Sequence, residues 1–118
     1  MPLIVIKSSA PNVSSQTKEH IHEQAEVALS TILGKSRDYV MSILELDSKM
    51  SFAGDAATPT SYIEVKNVGR LDPEITKQLS SEITEIISNN LGIKKERIYI
   101  EFQQSDRHLW GWNGKTFA

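Results

Sequence analysis

SYIEVKNVGRLDPEITKQLSSEITEIISNNLGIKKERIYIEF, residues 61–102, carries a complete structural plan. Tyr62-Ile63-Glu64-Val65-Lys66 alternates polar and apolar with the two-residue period of a strand. Asp72-Pro73-Glu74 then marks a helix start: a capping residue, a proline for the first turn, and an acid at the positive end of the helix dipole. Ile75, Leu79, Ile83 and Ile86 recur at helical spacing and predict one buried stripe. Gly92 follows Leu91 and can end the helix in a left-handed turn. Arg97-Ile98-Tyr99-Ile100-Glu101-Phe102 alternates again as a closing strand, with Ile98, Ile100 and Phe102 on one side and Tyr99, Glu101 and Gln103 on the other.

The first half echoes this plan. Leu3-Ile4-Val5-Ile6 is a buried type of strand. A helix is predicted from about Thr17 to Leu33, with Ile21, Ala25, Ala28, Leu29 and Ile32 on one face, Ser14 or Ser15 as its cap and Gly34 at its end. Tyr39 to Leu46 alternates as a strand. Helical crossovers of this length join parallel strands with a right-handed turn. The chain is therefore predicted to be one α+β domain, residues 1–118, of two βαβ units with pseudo-repeats at about 2–46 and 61–102. Four strands form one mixed sheet with both helices on one face. The other face has no cover within the chain, which predicts a homo-oligomer. The tail from Trp110 to Ala118, rich in aromatics and turn residues, reads as a short ribbon.

Composition narrows the function. The formal net charge is −2, and no basic run is interleaved with aromatics, so nucleic acid is not an expected partner. The chain has no cysteine, which excludes disulfides, thiolate catalysis and Cys-based metal or redox motifs. The apolar start, Leu3 to Ile6, is too short for a secretory core or a membrane span. The expected compartment is the cytoplasm. His20 and His22 are two apart on a helix and do not share a face, and His108 is remote, so no metal site is expected. No glycine-rich phosphate loop occurs, and no Ser-His-Asp arrangement follows from spacing.

An ordered set of short matches runs the length of the chain. It comprises Met1-Pro2 before an apolar strand, Pro11, Gly34-Lys35 with Tyr39 beyond, Met50 and Phe52, and Asn67-Val68-Gly69. Arg97-Ile98-Tyr99-Ile100, Gly111-Trp112-Asn113 and Thr116-Phe117-Ala118 complete it. In this set the chain resembles the macrophage migration inhibitory factor (MIF) family of the tautomerase superfamily. The resemblance implies a homotrimer with pockets at subunit boundaries, and cofactor-free keto–enol tautomerisation of aromatic α-keto acids such as phenylpyruvate or hydroxyphenylpyruvate. It also implies cytokine-like, receptor-binding relatives in animals that leave cells without a signal peptide. A partner-binding protein with vestigial activity is thus the second reading, with export as its corollary.

The implied chemistry makes physical sense at Pro2. Enolisation needs a base that is neutral yet basic near pH 7. An α-amino group titrates near ~8, closer to neutrality than a lysine, and burial lowers that value further. A prolyl nitrogen is basic only once Met1 is removed. Taken alone, a proline at position 2 reads first as the start of an edge strand, and it is the resemblance that reverses this order. The resemblance assigns Lys35 to the substrate carboxylate, although a lysine near a helix C-terminus is also favoured by the dipole. It assigns Asn67 and Val68 to a backbone contact with substrate, Tyr99 to the pocket of an adjacent subunit, and Tyr39 and Phe117 to the pocket rim. Packing alone accounts for each of these aromatics.

Two departures bear on efficiency. Glu101 stands where the family usually has asparagine, and Trp110 where relatives often carry a smaller aliphatic residue. A charge at about 6 Å is worth roughly 0.7 kcal/mol in water and about 2.8 at an effective dielectric of 20. A carboxylate there would raise the pKa of Pro2 by on the order of 0.5–2 units and oppose an anionic substrate. Pairing of Lys35 with Glu101 would offset it and leave Lys35 less available to the substrate.

Overall fold

A computed structural model describes all 118 residues, Met1–Ala118. Strand β1 spans Pro2–Ser8, helix α1 Ser15–Leu33, β2 Met41–Glu45, β3 Ser61–Val68, α2 Pro73–Leu91 and β4 Ile98–Ser105. A ribbon of β5 (Gly111–Trp112) and β6 (Lys115–Thr116) ends the chain. The sheet order is β2-β1-β3-β4, with β1 parallel to β2, β3 parallel to β4, and β1 antiparallel to β3. The two βαβ units are as expected, and their join places β1 inside the sheet. The edge-strand reading of Pro2 is thereby corrected.

Both helices lie on one face because their stripes and the alternate strand residues are apolar together. Ile21, Ala25, Ala28 and Leu29 of α1 meet Leu79, Ile83, Ile86 and Ile87 of α2, over Ile4, Ile6, Ile63 and Val65 of the inner strands. Each fully buried aliphatic side chain contributes roughly 1.5–3 kcal/mol. Ser14 caps α1, its hydroxyl accepting from the Thr17 amide at 3.1 Å. Asp72 holds the cap position of α2, but its carboxylate pairs with Arg70 at 2.5 Å and makes no side-chain cap bond. The second strand starts later than its pattern suggested: Arg37–Tyr39 form a 3-10 turn, and the ladder begins at Met41. A residue alternation continues through such a turn, so it cannot mark where pairing begins.

The open face is a register of three rows. Met41, Leu3, Lys66 and Gln103 form the first, Ile43, Val5, Glu64 and Glu101 the second, and Glu45, Lys7, Tyr62 and Tyr99 the third. Its β2–β1 half is apolar apart from the last row; its β3–β4 half is polar. Glu64 faces Glu101 directly, a destabilising arrangement. Lys66, 3.7 Å from Glu64, and the Tyr62 hydroxyl, which donates to Glu101 at 3.1 Å, relieve it.

The loop between β2 and β3 is fastened by one buried cation. Arg97 donates to the carbonyls of Phe52 (3.2 Å), Asp55 (3.1 Å), Thr58 (3.0 Å) and Pro59 (3.1 Å), and its guanidinium lies 5.3 Å from the Phe52 ring centroid. Phe52 in turn meets Tyr99 edge-to-face at 5.0 Å. Asp55 accepts from the Ala57 and Thr58 amides and the Thr58 hydroxyl. These bonds, the Thr58 hydroxyl foremost, hold its carboxyl at about 2. Because that pKa is depressed, the stabilisation is present above the ordinary value of 3.8 and is lost as pH falls toward about 2. Two outcomes are expected. Arg97→Met, which strands four carbonyls, should lower stability in urea unfolding by about 3 kcal/mol. Between pH 5 and pH 2, Asp55→Asn should flatten the acid-side fall in melting temperature relative to the unsubstituted chain.

Candidate active site at the amino terminus

Pro2 and Asn67 are cross-strand partners, and the Val68 amide donates to the Met1 carbonyl at 3.3 Å. That bond makes Pro2–Asn67 the narrow, non-hydrogen-bonded kind of antiparallel pair, in which side chains come closest. Pro2 is fully buried, and Asn67 is 2% exposed. The chain's first residues are thus clamped between β2 and β3.

Lys35 reaches the same place by a separate route. Gly34 ends α1 with φ of +64°, a left-handed conformation that turns the chain back. Ser30 then fixes Lys35: its carbonyl accepts from the Lys35 amide at 3.1 Å, and its hydroxyl donates to the Lys35 carbonyl at 2.6 Å. The Lys35 ammonium donates to the Val68 carbonyl at 3.2 Å. Val68 therefore presents both backbone groups to the site, its N–H to Met1 and its C=O to Lys35.

Two adjoining cavities open around this terminus. One, of about 240 Å³, is lined by Met1, Pro2, Leu3, Asp38, Tyr39, Val40, Met41, Trp110, Gly111 and Trp112. The other, of about 180 Å³, is lined by Met1, Lys35, Ser36, Tyr39, Trp112 and Phe117. Tyr39 meets Trp112 edge-to-face at 5.6 Å, and Trp112 stacks on Phe117 at 6.3 Å, so the wall between them is aromatic. The ribbon brings these rings in. Asn113 and Gly114 both have positive φ, 55° and 76°, as the two-residue turn of a hairpin requires. The Met1 amino group is held below its ordinary value of 8.0, by burial first and by the charge of Lys35 second.

The chain thus gathers Pro2, Lys35, Tyr39, Asn67, Val68, Trp110 and Phe117. It does not bring Tyr99 or Glu101 to them. In the register, Tyr99 lies level with Lys7 and Glu101 level with Val5, on an outer strand two positions from β1. Five residues of strand separate the Tyr99 level from Pro2, about 17 Å. Lys35 and Glu101 do not pair within the chain: Lys35 bonds the Val68 carbonyl, and Glu101 the Tyr62 hydroxyl. Trp112, Asp38 and Ser36 were not identified from sequence as lining residues. For Trp112 the Asn113-Gly114 turn was the available signal.

The family model for macrophage migration inhibitory factor (MIF) matches residues 1–118. The chain belongs to the MIF family. MIF from Rattus norvegicus is 25% identical over all of both chains, and a MIF homologue from Trichinella spiralis is 30% identical over 75% of this chain and 77% of its own. Among solved structures, the MIF homologue of Prochlorococcus marinus is 40% identical with a TM-score of 0.91, covering 98% of this chain and 99% of that one. MIF2 of Leishmania major is 29% identical with a TM-score of 0.89, covering 99% and 97%. The whole chain is thus a MIF fold. No group of three or more His, Asp or Glu side chains gathers at a point in it, and no helix is long and apolar enough to cross a membrane.

The clamp on Lys35 gives a direct expectation for this MIF-family site. Ser30→Ala removes the hydroxyl that holds the Lys35 carbonyl. It should cost about 1 kcal/mol in stability and leave Lys35 less well placed, seen as weaker quenching of Trp112 fluorescence by small aromatic carboxylates.

Proposed function

We propose that the chain, after loss of Met1, is a cofactor-free keto–enol tautomerase of phenylpyruvate-type substrates, with the Pro2 nitrogen as general base. The observation that carries this reading is the buried start of an inner strand, opening into apolar cavities beside one fixed ammonium. Desolvation and the Lys35 charge both disfavour a protonated amine, so a secondary amine there is neutral under conditions where it can accept a proton from carbon. Lys35 supplies a counter-charge for the substrate carboxylate. Loss of Met1 also frees the Val68 N–H, leaving a second donor next to the base.

Proton transfer then runs in two steps. Pro2 takes a proton from the carbon next to the keto group, and the electron pair of that bond forms the enol double bond as the carbonyl oxygen gains a proton from solvent; the protonated Pro2 nitrogen then returns its proton to solvent. The reverse sequence returns the keto form. Tyr39, Trp110, Trp112 and Phe117 offer ring faces to the substrate's aromatic group. In the homotrimer that the resemblance implies, Tyr99 and Glu101 of a neighbouring copy would complete the pocket. The compartment consistent with this reading is the cytoplasm.

A second reading, a partner-binding protein with vestigial activity, draws on Glu101. Its carboxylate would stand near an anionic substrate in such an assembly. The two readings separate in one experiment. Intact mass should show Met1 removed, and enol loss followed by absorbance should fall by about 10²–10⁴-fold in Pro2→Gly. Glu101→Asn should move the pH profile of kcat/KM to lower pH and decrease KM for the keto acid. Processed protein without Pro2-dependent turnover on several keto acids would favour the binding protein.

A further inference from the structure

The side-chain oxygen of Asn67 is a buried acceptor without a partner. It is the one such side-chain atom in the molecule. A buried carbonyl with no donor costs about 1–3 kcal/mol, so its persistence requires a reason. Its position supplies one. Asn67 is the cross-strand neighbour of Pro2, on the same face, in the narrow type of pair where Cβ atoms lie about 4.5–5.5 Å apart. The Met1 carbonyl is held by the Val68 amide, which places the adjoining Pro2 nitrogen against the Asn67–Val68 segment. The amide nitrogen of Asn67 is the end of that side chain nearest to Gly69, 4.0 Å from where a Cβ would sit.

While Met1 is attached, the Pro2 nitrogen is a tertiary amide with no hydrogen to give. After removal it is a secondary amine that carries one hydrogen when neutral and two when protonated. We infer that Asn67 is the positioning residue of the amino-terminal amine: its side-chain oxygen accepts a hydrogen bond from the Pro2 nitrogen in the mature chain. This rests on the reading of Pro2 as the base and adds two consequences to it. Donating one N–H to Asn67 fixes the ring, so the nitrogen lone pair is held in one direction rather than inverting freely. The same bond strengthens when the nitrogen is protonated, because a charged donor makes the stronger bond. Asn67 therefore opposes the effect of burial and of Lys35, and keeps the amine basic enough to take a proton from carbon. The charged residues that line the cavities at this terminus are Lys35, from the turn after α1, and Asp38, from the 3-10 turn. Lys66 of β3 points to the opposite face and pairs with Glu64.

The test is a titration of the Pro2 amine by NMR in full-length chain carrying labelled proline, with Met1 loss verified by mass. Asn67→Ala should lower the amine pKa by about one unit, a tenfold change in proton affinity. Asn67→Asp, nearly identical in shape, should raise it by a similar amount. Turnover against pH should follow the same opposite displacements. A packing role alone would change melting temperature in both variants and leave the titration where it was. If Asn67→Ala fails to fold, the Asp variant still decides the matter. An amine pKa that is unmoved in folded Asn67→Asp, or that moves the same way in both variants, overturns the inference. The tautomerase reading is judged separately. Opposite shifts in the titration without turnover would uphold the role of Asn67 and remove the proposed reaction. Strong Pro2-dependent turnover with an unmoved titration would do the reverse.

Discussion

The chain begins inside a sheet, and most of the structure follows from that constraint. A terminal strand ordinarily lies at an edge, where fraying costs little. Here Pro2–Ser8 is paired on both sides, with β2 in parallel and β3 antiparallel. The ladder with β3 runs to the very first residues, ending in the bond from Val68 to the Met1 carbonyl. Such a terminus cannot fray without giving up bonds on two sides. It is therefore a rigid place to mount a titrating group, and its burial is a consequence of topology rather than of any special pocket residue. Ile4 and Ile6 anchor the same strand in the core, both nearly inaccessible to solvent.

The two βαβ halves contribute unequally. The first supplies the terminus, the Gly34 turn and Lys35; the second supplies Asn67 and Val68 at the end of β3. The site thus forms at the one place where the halves are antiparallel to each other. The tail then closes it with Trp110, Trp112 and Phe117. At the far end a separate aromatic cluster forms, in which Phe52 of the loop between the halves meets Tyr99 of the second half and lies against the Arg97 guanidinium. Tyr99 is 62% exposed there and Met41, on the opposite edge of the open face, 60%. Exposed side chains at both edges of an otherwise bare sheet face are what a further copy of the chain would cover.

Much of this was legible in the sequence, because the periods of two and 3.6 are physical. The helix stripes, both glycine ends, the alternation of β3 and β4 and the shared face of the helices all follow from side-chain burial. What sequence could not supply was anything decided by registry or by carbonyls. Tyr39 continued a strand-like alternation yet sits in a 3-10 turn, since alternation carries no information on pairing. Asp72 has the right identity and position for a cap, but Arg70 competes for its carboxylate. Arg97 looked like the first residue of a strand; its partners are four backbone carbonyls in a loop without periodicity. At the site, Pro2, Lys35, Asn67 and Val68 were singled out, whereas Trp112 was not, because its place depends on how the hairpin packs back.

Removal of Met1 changes more than one bond at this terminus. The peptide carbonyl that occupies the Val68 N–H leaves together with the side chain that lines both cavities. In the proposed reading, a nitrogen without hydrogen becomes a donor and a base in the same event. In the proposed mechanism, three features that look unrelated in the unprocessed chain would serve one purpose: a filled backbone donor, a partnerless amide oxygen and a lysine already fixed by its own backbone. Each is held by strand registry or by a helix end, so none needs to move when Met1 goes. Pre-organisation of this kind lowers the reorganisation needed when charge moves between substrate and base. A small domain without metal or thiol chemistry in its proposed mechanism depends on that rigidity, because the protonation equilibrium of one nitrogen is the quantity it has to control.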